Sequence, residues 1–298
     1  MKTLCSKIQL KNFEVGEFGE IADRTLDETL NLIFSFPWAT ERALASVELH
    51  CPSVTIESLS GSYLKVGPYF NGKFCIYHCN KSGKVTFQVL NELNKMIAII
   101  AEFFNGKIKI AGFQNYKYVV NPRKYFKTNP YEYKPGAKAI FNYFKLDLLI
   151  IVAPLCILGT KFFTDWSVIT NPLGLFAILI FLLFFCGPSL YLLLDYQPYT
   201  KNQFLKISRG HHHFIFGDIA GNKEYDKSDI VGICRYYNHG GRNPWSGSQV
   251  YRITFKNGEM LLFNSLLIDQ WAFIKKFPGL EIKSKHVFFP TVNAVLSN

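Results

Sequence analysis

The chain has 298 residues, enough for two modest domains and a membrane anchor. Hydrophobic residues make up 49% and charged residues only 18%, which argues against an ordinary soluble protein. The net charge of +11 leaves nucleic acid, anionic lipid or an acidic protein as partners, and an odd count of 7 Cys argues against a disulfide framework.

Residues 1–11 hold no apolar core of signal-peptide length, so the mature chain is expected to begin here. Residues 8–10 and 20–22 read as short strands. Residues 27–36 read as a helix that Thr25 or Asp27 can cap, with Leu30, Ile33 and Phe34 on its apolar face. Further strands fall at 47–49 and 54–56. The runs 63–66 and 73–77 flank Pro68, Asn71 and Gly72, a hairpin signal. A strand at 85–89 follows the turn at Ser82 and Gly83. An amphipathic helix over 91–105 then aligns Leu93, Met96, Ile97, Ile100, Phe103 and Phe104, with Gly106 closing it. Residues 1–115 thus read as an α+β domain with a mostly antiparallel sheet. Cys75, His78 and Cys79 share a strand, but alternation puts the thiols on one face and the imidazole on the other, so no metal or other cofactor is expected. Glu41, Glu48 and Glu57 show no spacing suited to acid–base catalysis.

Residues 116–145 form a basic aromatic collar. Tyr116, Tyr118, Tyr125, Phe126, Tyr131, Tyr133 and Tyr143 interleave with Lys117, Arg123, Lys124, Lys127, Lys134, Lys138 and Lys145, against Glu132 as the only acid. Pro122, Pro130 and Pro135 prevent a long helix. Beside a bilayer the seven cations suit anionic lipid head groups, at about 1 kcal/mol each. RNA-binding strips have a similar composition, but nearness to an apolar span favours lipid over nucleic acid.

Two apolar segments over 146–195 read as a transmembrane helical hairpin, with spans at about 146–163 and 172–194. The second carries no charge before Asp195 and lacks the polar stripe of a soluble helix. About 20 residues at a 1.5 Å rise cover a hydrocarbon core of about 30 Å. In the first, Asp147 and Lys161 flank the apolar run, Pro154 kinks it, and Phe163 and Trp166 suit an interfacial belt. Pro172 fits the first turn of the second helix. Lys and Arg crowd both outer flanks, including Lys201, Lys206 and Arg209, while Lys161 stands alone between the spans. A multi-pass protein of the inner (cytoplasmic) membrane with both termini cytoplasmic is therefore expected.

Residues 199–298 read as a second domain. Strands are expected at 204–208, 213–216, 229–235, 250–255 and 260–263, with Asn257 and Gly258 joining the last two. A helix over 269–277 has Asp269 as cap, with Trp271 or Ala272, Phe273 and Phe277 able to pack. His211, His212 and His213 read as a polar turn, with a pH-sensitive patch or weak metal site as the alternatives. The Gly-rich loop at 240–248 holds Arg242 and Trp245, which could meet a partner, or the indole could anchor the loop.

The run Ser228, Asp229, Ile230, the loop Asn243, Pro244, Trp245, the stretch YRITFKNGEMLLFNSLL at 251–267 and the helix after it resemble bacterial pleckstrin-homology-like (PH-like) domains that follow two membrane spans. The resemblance implies a strongly bent β-sheet closed by one helix, used for binding rather than catalysis. Strand-like residues at 287–289 depart from that pattern.

No nucleotide loop, nucleophile elbow or zinc-protease helix occurs in the sequence. The leading expectation is a non-enzymatic, membrane-anchored binding or scaffold protein that meets a protein partner or anionic lipid. An immunity protein against a membrane-acting toxin and an enzyme acting on a membrane-linked substrate remain as alternatives.

Overall fold

Alternating burial organises the first part of the chain. Strands β1 (Leu4–Gln9) and β2 (Gly19–Arg24) precede helices α1 (Leu26–Ser35) and α2 (Trp38–Arg42). After them come β3 (Ser53–Glu57), β4 (Tyr63–Pro68), β5 (Phe74–Cys79), β6 (Val85–Leu90), helix α3 (Ile97–Phe104) and the short β7 (Gln114–Asn115). The strands form one antiparallel sheet in the order β2-β1-β3-β4-β5-β6-β7. In this computed structural model the described residues are 2–42, 49–50, 52–107, 112–117, 120–145, 147–152, 172–218, 221–238 and 244–296. Of the strand expected at 47–49, residues 47 and 48 lie outside them, as does Glu48.

Every second strand residue faces the helices. Leu4, Ile8, Val54, Ile56, Leu64, Val66 and Ile76 pack with Ile33, Phe36, Trp38, Met96, Ile100 and Phe103. Thr25 caps α1 through a reciprocal capping box with Glu28. The second expected helix starts as a 3₁₀ turn at Leu93–Met96 before α3. Asn71 and Gly72 take positive φ values of 52° and 75° in the β4–β5 hairpin, a geometry open to glycine because it lacks a Cβ and one that asparagine tolerates better than most residues.

On the opposite sheet face, Tyr63, Cys75, Tyr77, Cys79 and Val85 pack with Phe126 from the collar. Lys65 is fully buried there. Its Nζ donates to Gln9 Oε1 at 2.9 Å, Leu49 O at 2.7 Å and Tyr125 O at 3.0 Å. These bonds tie residues 120–130 to the sheet, and the first compact unit runs to Pro130, inside the basic collar.

The second unit, Tyr131–Asn298, opens with β8 (Glu132–Tyr133). Helix α4 (Ala137–Tyr143) and the long α5 (Pro172–Thr200) follow, then β9 (Phe204–Lys206), β10 (His213–Asp218) and β11 (Gly221–Asp226). Next come β12 (Ile230–Tyr237), β13 (Gln249–Phe255), β14 (Met260–Asn264), α6 (Gln270–Lys275), β15 (Ile282–His286) and α7 (Val292–Leu296). The strands form two four-stranded sheets, β11-β10-β9-β8 and β14-β13-β12-β15. Leu205 and Phe214 from one sheet, Ile233, Ile253 and Phe263 from the other, and Phe273 from α6 share a single core. Tyr251 stacks on Phe273 at 3.8 Å between ring centroids.

The expected α+β architecture with antiparallel sheets is present, with differences in detail. Strand β8 comes from the collar, before the apolar segments, and pairs antiparallel with β9 after them. The strand after α6 spans Ile282–His286, just ahead of the expected 287–289, and runs parallel to β12. Val287 and Phe289 instead pack beside Leu192, Tyr196 and Trp245.

Helix α5 has two regimes. Leu173, Phe176, Leu179, Ile180, Leu183 and Phe184 are exposed, whereas Leu192, Tyr196 and Thr200 are buried against the β core. Its stretch Leu179–Thr200, 22 residues, is the one helix among the described residues long and apolar enough to cross a membrane. Of the first expected span, residues 147–152 are helical, while residue 146 and residues 153–171, with Pro154, Lys161, Phe163 and Trp166, lie outside the described residues. One candidate membrane helix is thus present among the described residues, and most of the other leg of the expected hairpin lies outside them.

Candidate functional site

In the second unit, α4 and β8 line a cleft together with the chain on either side of the start of α6. The cleft has a volume of about 540 Å³. Two of the seven collar cations, Lys134 and Lys138, line it. Glu132 and Tyr133 come from β8, while Asp269 and Trp271 come from the start of α6. Lys134 Nζ lies 3.6 Å from Glu132 Oε2 and 4.8 Å from the centroid of the Phe204 ring. That pair is largely self-neutralising.

A set of fixed hydrogen bonds underlies the cleft. Tyr143 OH lies 2.7 Å from Ser248 Oγ and donates to Ser189 O at 3.2 Å. Burial pushes the Tyr143 phenol well above its ordinary value, so it stays neutral and keeps its proton. Gln249 Nε2 donates to Gln270 Oε1 at 2.6 Å, and Tyr251 OH donates to Gln249 Oε1 at 2.7 Å. Asp269 Oδ1 accepts from Ala272 N at 3.0 Å and so caps α6.

Trp271 is 73% exposed, although the sequence offers it as a packing residue. Its exposure follows from helical phase. Phe273 and Phe277 are four apart and mark the buried side, and Trp271, two before Phe273, points away from it. That phase was the available signal for an exposed indole; no spacing motif marks the cleft.

The remaining expected site residues fall elsewhere. Lys145 is exposed outside the cleft lining. Lys117, Arg123, Lys124 and Lys127 are exposed on the first unit. There Arg123 donates to Lys81 O at 3.2 Å and Gly61 O at 3.4 Å, clamping two strand-connecting loops. Trp245 is not a surface for a partner. It is 7% exposed and packs beside Phe288 and Phe289, at 6.3 and 6.1 Å between centroids, which makes it the anchor of its loop. Arg242 lies outside the described residues. His78 packs edge-on to Phe103, across the sheet from Cys75 and Cys79. His213 Nδ1 lies 3.8 Å from Asp226 Oδ2 on the neighbouring strand.

No curated protein and no solved structure matches the chain. Residues 131–276, just under half of the chain, match a family model described as a PH domain. The two ends of that stretch meet in space: Lys276 Nζ sits 4.3 Å from the centroid of the Tyr131 ring. From β8 to the end of α6 the second unit is therefore similar to PH domains, with α4 and α5 lying inside the match between its first two strands.

Proposed function

We propose that this chain is a non-enzymatic binding or scaffold protein of the cytoplasmic membrane of a bacterium, with both units on the cytoplasmic side. One observation carries the reading. A PH-like β core, a fold used for binding lipids or proteins, is interrupted after its first strand by a helix whose early turns expose large apolar side chains and whose last turns are packed into the core. Water is a poor solvent for the exposed part, and lipid tails are a good one. The rigid join would hold the β core at a set distance from the bilayer.

Of the exposed collar cations, Lys117, Arg123, Lys124, Lys127 and Lys145 support contact with anionic head groups in this reading, while Lys134 is paired with Glu132 and Lys138 lines the cleft; a cytoplasmic protein is the other partner. Fractionation tests the anchoring. After carbonate washing the chain should stay in the membrane pellet, and protease added outside intact cells should cut neither unit. Release into the supernatant overturns the proposal.

A further inference from the structure

We infer that the cleft beside α4 receives the head group of an amine-bearing zwitterionic phospholipid, with the phosphoryl group on Lys138 and the ammonium on Asp269 beside the Trp271 ring. This inference rests on the membrane-anchored reading above and names the ligand of that site.

The charges lining the cleft do not all pair with one another. Lys134 and Glu132 neutralise each other at 3.6 Å. Lys138 has no hydrogen-bond or ion-pair partner among the described residues, and the Asp269 carboxylate accepts only from the backbone N–H of Ala272. The cleft thus presents one unmatched cation and one unmatched carboxylate, on separate elements that do not pair with each other. A ligand carrying both signs complements the two together. A polyanionic head group would meet Lys138 but would also face the Asp269 carboxylate without compensation.

Shape and chemistry agree with that charge pattern. At about 540 Å³ the cleft has the size of small-molecule sites. Its polar floor is already ordered by the Gln270–Gln249–Tyr251 chain and by the pairing of Tyr143 with Ser248, so little reorganisation accompanies binding. Trp271 lines the cleft and is largely exposed, so its indole is accessible to a cation, and tryptophan is favoured at the head-group layer. A primary ammonium suits the site better than a quaternary one, because Asp269 can accept its N–H bonds whereas a single indole is not an aromatic cage. Past Tyr143 the chain leads to Leu148 and Leu149, both exposed, so the cleft lies near the point where an anchored chain meets acyl chains.

The test uses the full chain in detergent, with native mass spectrometry counting bound lipid. The probes are short-chain phosphatidylethanolamine, phosphatidylcholine, phosphatidylglycerol and free phosphoethanolamine. Saturable one-site binding of phosphatidylethanolamine is expected, stronger than that of the other three. Lys138→Glu and Asp269→Asn should each weaken it about fivefold, the scale of one exposed charge contact. Asn retains the capping acceptor, so the second variant removes charge without removing the cap. Trp271→Ala should weaken it by a similar factor, and thermal melts of all three variants should match the parent. Tighter binding of phosphatidylglycerol, equal binding of free phosphoethanolamine, or indifference of phosphatidylethanolamine binding to the variants overturns the inference. These outcomes in a protein that stays in the carbonate pellet sink only this inference, whereas release by carbonate sinks the anchoring on which it rests.

Discussion

Two lysines lie on one buried row of the first sheet. Lys7 pairs with Thr55 across β1–β3, and Thr55 with Lys65 across β3–β4, so all three share a face. Replacing Lys65 by Met would leave the carbonyls of Leu49 and Tyr125 without this donor, at a cost of about 2–4 kcal/mol. A lower melting temperature and faster proteolysis within residues 116–130 are the expected readouts. Lys7 and Tyr63 make the pH dependence two-sided. Burial holds the Lys7 ammonium below its ordinary 10.5, with Glu57 opposing the shift. The unfolded chain binds the extra proton between that lowered value and 10.5, so stability rises with pH in this window. Burial, then Glu57, raises the Tyr63 phenol from 10.0 to about 12. There the folded state holds the extra proton, so its contribution is full below 10.0 and is lost as pH climbs towards 12. Thermal melts should trace a dome, with Lys7→Met flattening the rising limb and Tyr63→Phe the falling limb.

At the scale of elements, the end of α5 is fastened by its side chains. Tyr196 OH donates to Pro290 O at 2.7 Å, and Val292 N donates to Asp195 Oδ2 at 2.6 Å at the start of α7. Tyr196→Phe should cost about 1–2 kcal/mol by leaving a buried carbonyl unpaired. Amide exchange over 292–296 should quicken in that variant, while exchange in β13 should not. Trp245→Ala removes a buried indole from the same cluster and should cost about 3–5 kcal/mol, seen as an earlier unfolding transition. Loss of partner binding without loss of stability would contradict its role as an anchor.

For the whole molecule, the decisive feature is that the second unit starts before its long helix. A fragment of residues 199–298 would lack β8, which pairs with β9, and would lose Leu192 and Tyr196 from a buried cluster. It should melt broadly and expose apolar surface to a hydrophobic dye, whereas residues 131–298 in detergent should unfold cooperatively. Equal behaviour of the two fragments would show that β8 and the helix end are dispensable.

Much of this was legible in the residues themselves. Period-two alternation in β1, β3, β4 and β5, the hairpin at Asn71 and Gly72, and the Asp269 cap are local signals, because pleat and turn geometry act over a few bonds. The uncharged run in α5 is equally local, since the lack of a polar stripe can be read from the residues of the helix alone. Tertiary structure decided what depends on contacts between distant positions. The two residues of β8 are too short to carry a periodic signal and become a strand only by pairing with β9, whose partner residues lie more than 70 positions later. Burial of Lys65 was hidden for the same reason, because its three acceptors come from separate parts of the chain. The cleft that joins Lys138 to Asp269 likewise exists only once α4 and α6 have docked, since side-chain chemistry is written locally but proximity is set by the packed core.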